Sequence, residues 1–507
     1  MHASSGLLTT YLQGLERAKP DPAACAIYAS LDVLTTHSPV VAASIIREFR
    51  DQRRNLKLIA SENYSSLATQ LAHANLLTDK YSEGYVGHRF YAGCDNIDAI
   101  EAEAARLACD VFGAEHAYVQ PHSGADANLV AFLAILNAKV QSPAIAALGE
   151  KDVSRLSHAD WNGVRAAVHG QRLLALDYYS GGHLTHGYRH NLSSHLFECY
   201  HYGVERDTGL ISLDKLRAAL REIRPLVLLA GYSAYPRALN FAAMREMADE
   251  VGAVFMVDMA HFAGLVAGKV FTGDFDPVAH AHVVTSTTHK TLRGPRGGFV
   301  LCKKEMAEWV NKGCPMVLGG PLPHAMAAKA VAFKEASTPE FRTYAAGIVA
   351  NARTLAEACV RLGMPVLTGG TDNHLLLIDV FTGFGLTGRQ AENALRQCGV
   401  TLNRNAIPFD PNGPWYTSGL RVGTPAITTL GMTGAEMGEI ADVLKLVLSN
   451  VRTGERTGEE GAPRSGKYTL AENVVSQASA RVRQLLDRFP LYPELDLDLM
   501  LQAVPDR

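Results

Sequence analysis

A chain of 507 residues, 47% of them hydrophobic and 20% charged, is long enough for a large core and for two domains with terminal additions. Its formal net charge of −3 leaves no electrostatic footprint for nucleic acid or for an anionic membrane surface. The eight cysteines are scattered and form no Cys-x-x-Cys pair, which argues against a disulfide scaffold and for reduced thiols in the cytoplasm. No apolar stretch reaches the roughly 18 to 20 residues that span a bilayer. The start of the chain has no basic segment ahead of an apolar run, so it reads as a poor secretion signal.

Residues 1–50 carry Pro20, Pro22 and Pro39 between short apolar pieces and read as an N-terminal arm. Within it the spacing predicts an amphipathic helix from Val40 to Asn55, with Ile45, Ile46 and Phe49 on one side. The segments Lys80–Tyr85 and His88–Cys94 are dense in tyrosine, charge and glycine, as active-site loops are. Asp98 to Phe112 reads as a helix stopped by Gly113. A short strand, Ala117 to Gln120, leads through Pro121-His122-Ser123-Gly124-Ala125-Asp126 into an apolar helix from Leu129 to Ala138. A strand, a small-residue turn and a helix N-terminus present free N–H groups and a favourable dipole to an anion such as a phosphate.

Residues 139–180 carry little pattern. Beyond them strands and helices alternate: strand Pro225–Gly231, helix Asn240–Val251, strand Ala253–Asp258, strand Val283–Thr288. That alternation predicts an α/β fold with a mostly parallel sheet, helices on both faces and ligands at the C-terminal strand ends. Asp258 and Lys290 both fall at such ends. After a helical run to Ala336, residues 337–507 read as a smaller α/β domain beside a large domain of 51–336. Its expected parts are helix 344–362, strand Asn373–Val380, helix 388–397 and strand Val400–Asn403. A chemical-looking loop follows at Ser418–Ala426, then a linker at 454–467 and a last helix from Ala471 to Phe489.

Lys290 follows a β-branched run and precedes a Gly/Pro/Arg loop, an odd place for a core residue. Burial lowers a lysine pKa and makes the amine a usable nucleophile for carbonyl compounds and pyridoxal phosphate. Such chemistry also needs an acid for the ring nitrogen, an anion cup, and an arginine fork for a carboxylate. Asp258, the Ser123 turn and Arg421 supply these, with His183 to stack on the ring. Each has a structural alternative when taken singly; together, in the order such a fold requires, they point one way.

The sequence also resembles the serine hydroxymethyltransferase family over about residues 40 to 450. The resemblance lies in Leu58-Ile59-Ala60-Ser61-Glu62-Asn63-Tyr64, Gly181-Gly182-His183-Leu184-Thr185-His186-Gly187 and Val257-Asp258-Met259-Ala260-His261. It continues in Thr287-Thr288-His289-Lys290-Thr291-Leu292, Gly294-Pro295-Arg296-Gly297-Gly298 and Ser418-Gly419-Leu420-Arg421-Val422-Gly423-Thr424-Pro425-Ala426. It implies a fold-type-I (aspartate aminotransferase-like) enzyme that exchanges serine and tetrahydrofolate for glycine and 5,10-methylenetetrahydrofolate, with pyridoxal 5'-phosphate as a Schiff base on Lys290. On this resemblance Asp258 faces the ring nitrogen, His183 stacks on the ring, and Ser233 and His261 lie near its oxygen. Thr287 and His289 contact the cofactor, His289 standing with Lys290, Asp258, Glu83 and Tyr91 among the catalytic groups, and Ser123, Gly124 and Ala125 form the phosphate turn. Ser61 and Arg421 hold the substrate carboxylate. Tyr81, Glu83 and Tyr91, with Glu83 as acid–base group, and Gly319 and Gly320 reach a neighbour's site in a homodimer. Gly182, His183, Leu184, Asn405, Gly413, Pro414 and Trp415 line a folate pocket.

The chain departs from the family pattern at Ala125, where a hydroxyl residue is usual, and at Asp126, Phe90 and residues 315–318. The insert at 139–180 and both ends are longer than usual. Three other readings compete. One is a zinc enzyme on His183, His186 and His190, disfavoured by the flexible glycines around them. The second is a non-catalytic pyridoxal-fold binding protein. The third is a folate-independent pyridoxal-phosphate aldolase or racemase acting on small amino acids.

Overall fold

The computed structural model describes residues 6–15, 19–453 and 466–503. Most of the expected linker, residues 454–465, lies outside them. Seven strands make the large sheet: β1 (His116–Tyr118), β2 (Arg172–Leu176), β3 (Glu198–Tyr202), β4 (Val227–Gly231), β5 (Val254–Asp258), β6 (Val283–Thr287) and β7 (Gly298–Cys302). Their order is β1-β7-β6-β5-β4-β2-β3. Only β7 runs against its neighbours; the others are parallel. Every residue of β4, β5 and β6 is buried, which is why these segments read as unbroken apolar or β-branched runs. Alternate side chains serve opposite faces: Phe255 and Val257 join one core, Val254 and Met256 the other.

The helix after the Ser123 turn covers the second of these faces. It begins at Gly124, five residues before the expected start, because the Ser123 side chain caps it by accepting from the Asp126 N–H. It continues without a break to Ala147, a run of 24 residues long and apolar enough to cross a membrane by length and composition. Counting only uninterrupted apolar residues missed it, since Asn128, Asn137 and Lys139 punctuate the run. Its apolar side chains lie against the sheet, with Ala127, Val130, Phe132 and Ile135 fully buried, as in the core helix of an α/β layer.

A second core gathers β8 (Leu375–Asp379), β9 (Asn403–Asn405) and β10 (Gly419–Gly423), antiparallel in the order β8-β10-β9, under helices Pro339–Arg361, Gly388–Gln397, Gly434–Asn450 and Glu472–Arg488. Two expectations are corrected here. The segment Ser418–Ala426 is mostly a strand, β10, because Leu420 and Val422 point into this core. The strand expected over Val400–Asn403 splits, since Val400–Thr401 pairs instead with Leu56–Lys57. Leu56 and Leu58 thereby pack with the second core. Helices Pro22–His37 and Pro39–Arg54 form a third cluster with Leu497 and Met500. Ile46 and Phe49 face that cluster, whereas Ile45, expected beside them, is exposed.

Candidate active site

The C-terminal ends of β5 and β6 meet the helix N-terminus after Ser123, and a buried polar network fills the junction. Asp258 Oδ2 accepts from Asn128 Nδ2 at 2.9 Å and lies 3.1 Å from His186 Nε2, while Oδ1 accepts from the Ala260 N–H at 3.0 Å. His186 Nδ1 accepts from the His183 N–H at 3.3 Å, so the His186 proton sits on Nε2 and is donated to the carboxylate. Asn128 is fully used, giving also to Thr185 Oγ1 at 2.7 Å and accepting from Thr285 Oγ1 at 2.5 Å. Burial pushes the Asp258 pKa up, but the hydrogen bond from His186 and the electrostatic pull of His186, His183 and Lys290 outweigh it and hold the carboxyl well below the usual range.

Lys290 lies three residues past β6. It keeps some accessible surface, yet enough protein surrounds the amine that burial, opposed by Asp258 and reinforced by Arg421 and Arg296, lowers its pKa to about 8. Asn63 Nδ2 donates to the Lys290 carbonyl at 2.9 Å, which pins the segment containing Ser61 beside it. His289 next door is lowered to about 3, chiefly by burial. His183 is lowered to about 4 by burial and His186, and its Nδ1 is 2.8 Å from Thr185 Oγ1. Thr287 Oγ1 donates to the Ala260 carbonyl, and His261 follows immediately.

From the second core, β10 delivers Arg421. Its Nε donates to Asn403 Oδ1 at 3.1 Å and its Nη1 to the Ser233 carbonyl at 2.7 Å. The Gly423 N–H donates to the Leu58 carbonyl, which carries the Ser61 segment alongside. Ser233 Oγ donates to the Gly182 carbonyl at 3.2 Å. The expected groups Lys290, Asp258, His183, His261, His289, Thr287, Ser233, Gly182, Ser61 and Arg421 are thus linked into one neighbourhood.

The Ser123 turn adjoins them. A Cβ on Gly298 would fall 2.2 Å from the Ser123 carbonyl oxygen, and one on Gly124 would fall 2.7 Å from Thr287 Cγ2. The turn therefore sits directly on β7 and the end of β6, an approach only glycines permit. The Ser123 side chain is spent on its cap and Ala125 points outward. His122 Nε2 is buried without a partner. Lys329 closes the turn from below. It is fully buried and donates to the carbonyls of Val119, Pro121 and Gly298 at 2.6, 2.8 and 2.9 Å. Burial draws its pKa down to about 7, against the pull of Glu101 and Asp126. Three acceptors nevertheless require three N–H donors, which only the ammonium form has.

Five expected residues form a separate cluster. Tyr81 stacks edge-on against Tyr91 at 4.8 Å and lies 3.4 Å from Glu83 Oε2. Gly320 abuts the Tyr81 ring, and the Gly319 carbonyl is 3.3 Å from Cys314 Sγ. Among the described residues no hydrogen bond or ion pair joins Tyr81, Glu83 or Tyr91 to the Lys290 neighbourhood. Both tyrosines and Phe90 are exposed. Of the expected folate residues, Asn405 lies on β9 opposite Gly419, close to Arg421, whereas Leu184 and Trp415 face solvent and Gly413–Tyr416 forms a short helix of its own.

His183, His186 and Asp258 each offer an atom within 4.8 Å of the others, a trio of ligand type. Those atoms already bond to one another, to Asn128 and to Thr185, and His190 lies apart beside Tyr188. Sequence reasoning gave no role to Asn128, Lys329 or His374. For Asn128 and Lys329 the available signal was a polar residue on the apolar face of a helix, which for Lys329 is Met326, Phe333 and Ala336; His374 follows Thr371-Asp372-Asn373 ahead of β8 and carries no such signal.

A softened lysine amine and an ionised aspartate at neighbouring strand ends, beside an anion-ready helix N-terminus on a mostly parallel sheet, define the fold-type-I pyridoxal-phosphate class. The family model for serine hydroxymethyltransferase matches residues 34–167 and 157–444, its two parts meeting in the expected insert. Proteins named serine hydroxymethyltransferase from Treponema pallidum, Salinispora tropica and Chlamydia trachomatis serovar D are 58%, 57% and 51% identical to the chain. The alignments cover 97%, 92% and 98% of this chain and 85%, 98% and 100% of those relatives. The chain belongs to the serine hydroxymethyltransferase family.

Proposed function

We propose that the chain is a glycine hydroxymethyltransferase of the cytoplasm, interconverting serine plus tetrahydrofolate with glycine plus 5,10-methylenetetrahydrofolate. The observation that carries this is the placement of Lys290 and Asp258 just past and at the ends of two neighbouring buried strands, beside the helix N-terminus that follows Ser123. The residues fit pyridoxal 5'-phosphate. Asp258 is a carboxylate for a protonated ring nitrogen, and His183 is a neutral ring free to stack. The turn at Ser123–Ala125 suits a phosphate, since among the described residues its amide N–H groups make no hydrogen bond outside the helix and His122 Nε2 has no partner.

When bound, the cofactor supplies an aldehyde for Lys290 and a ring that draws electrons from the bonds at the amino acid's Cα. Arg421, with its Nη2 uncommitted among the described residues, holds the substrate carboxylate together with Ser61. Fixing the carboxylate would fix how the amino acid's Cα bonds are presented to the cofactor, and so which of them is weakened. Asp258 balances positive charge at the ring nitrogen, and its three donors keep it ionised. Glu83 takes and returns the proton at the serine hydroxyl, and it does so across a homodimer. Its cluster with the exposed Tyr81 and Tyr91 and with Gly320, joined to its own Lys290 by no hydrogen bond or ion pair among the described residues, supports that assignment. Gly182, Leu184, Asn405 and the 413–415 helix take the folate. We place the domain boundary near residues 336 and 337, although Phe341, Tyr344, Ala345, Ile348 and Val349 beyond it still pack with the large core, and Leu56 and Leu58 before it with the smaller.

The test is to add pyridoxal 5'-phosphate to purified protein, record its visible spectrum, and assay glycine from serine with and without tetrahydrofolate. We expect a visible band that Lys290→Ala abolishes, and glycine formation that depends on the folate. A protein without that band, or with glycine formation indifferent to folate, overturns the reading.

A further inference from the structure

Behind His261 stands a second histidine. His374 immediately precedes β8, and its Nε2 lies 3.1 Å from His261 Nδ1. Both rings are buried. A hydrogen bond between two neutral imidazoles carries one proton, and the surroundings decide whose it is. His374 Nδ1 is sealed from solvent and has no hydrogen-bond partner among the described residues. A proton there would be a buried N–H with no acceptor, whereas a bare lone pair is the less costly orphan. The His374 proton therefore sits on Nε2 and is donated to His261 Nδ1. His261 must then carry its own proton on Nε2, the nitrogen that makes no hydrogen bond to any described residue.

A second proton on either ring is opposed from every side. Burial lowers both pKa values, and the cations Lys290 and Arg421 lower them further, with His183 adding to the effect on His261. The pair is also held rigidly. The His374 carbonyl accepts from the Thr424 N–H at 3.0 Å, and Asn373 Nδ2 donates to Tyr232 Oη at 3.1 Å and to the Tyr235 carbonyl at 3.0 Å. The segment ahead of β8 is thus anchored on one side to the second core and on the other to the chain that follows β4.

We propose that His374 is a positioning residue that orients the His261 ring and fixes its proton on Nε2, making His261 a hydrogen-bond donor to the ring oxygen of pyridoxal 5'-phosphate. This rests on the cofactor reading above. An oxygen bearing negative charge needs a donor, and the opposite tautomer would present it with a lone pair.

The experiment titrates cofactor-free wild type and His374→Leu with pyridoxal 5'-phosphate and with its 3-deoxy analogue, which lacks that oxygen, following tryptophan fluorescence. The expected result is a loss of about tenfold in affinity for pyridoxal 5'-phosphate on substitution, against a change within about twofold for the analogue. Equal losses for both ligands, as from damaged packing, or no loss for either, overturn the proposal. A wild type that binds neither ligand refutes the cofactor reading itself. Should His374→Leu not fold, nitrogen NMR of wild type labelled with 15N-histidine decides the matter, the His261 signals being identified by their loss in His261→Gln. A bare Nδ1 and a protonated Nε2 on His261 are expected; a proton on Nδ1 overturns the proposal.

Discussion

Replacing Lys290 with methionine keeps an unbranched stem of similar shape and removes the charge. In the cofactor-free protein the lysine pKa falls from 10.5 to about 8, which at about 1.4 kcal/mol per pKa step corresponds to a folding penalty of about 3 kcal/mol. The amine keeps some accessible surface, so solvent screening reduces the net figure to about 1 to 2 kcal/mol. The sign follows from linkage. Below pH 8 the amine is charged in both states, and the native state bears the full cost of holding that charge. Between about 8 and 10.5 the native state sheds its proton first, so the cost fades as pH rises. Asp258 does not become an orphan in the variant, because Asn128, His186 and the Ala260 N–H still hold it. Urea denaturation of cofactor-free wild type and Lys290→Met, at equal protein concentration and at pH 7 and 10, measures the effect. The variant should be the more stable by about 1 to 2 kcal/mol at pH 7, and the gap should nearly close by pH 10. A variant no more stable at pH 7, or a gain independent of pH, would show that burial does not strain the amine.

Three further outcomes are expected. Asp258→Asn turns an NH2 toward donors that need an acceptor, and it should lower kcat/KM for serine by about 100-fold or more; a value within about tenfold of wild type would make Asp258 structural only. Lys329→Met relieves the burial cost of the ammonium but strands three buried carbonyls, each worth about 1 to 3 kcal/mol, and should cost about 3 kcal/mol net in urea denaturation, a loss under about 1 kcal/mol showing that they find other donors. Mixing inactive Lys290→Ala with inactive Glu83→Gln subunits should restore about one working site per heterodimer, since each mixed pair keeps one intact combination; verified heterodimers with no activity would place every group in one chain.

The residues that announce chemistry by type and place were legible in the sequence. Lys290 and Asp258 each end a buried strand, and Ser123 opens a helix, so local pattern alone located them. Arg421 was found but misplaced onto a loop, because the glycines at 419 and 423 imitate turn punctuation while Leu420 and Val422 in fact pack inward. The groups that hold these residues were not legible. Asn128 meets Asp258 across 130 residues, His374 meets His261 across 113, and Lys329 meets Val119 across 210. Asn128 and Lys329 are polar residues on apolar helix faces and His374 ends a polar run ahead of a strand, and the partners of all three cannot be inferred until the sheet order is known. The 139–180 region escaped for the opposite reason. Its helix His158–His169 buries little beyond Val164, so it carries too weak an apolar stripe to announce itself.

The clasp made by Lys329 bears on when the site can come into being. Its three acceptors come from the end of β1 and the start of β7, and the lysine itself from a helix that follows both. Contacts spanning 31 to 210 residues are slow to close, because the chain loses loop entropy before the bonds reward it. The turn at Ser123 therefore takes its final shape only after the Pro323–Ala336 helix has docked, when most of the large sheet must already exist. On this ordering a newly made chain presents no cradle for a phosphate while it is still assembling. The cofactor would then select finished molecules instead of guiding unfinished ones, and adding it early in refolding should raise the final yield without hastening the main phase.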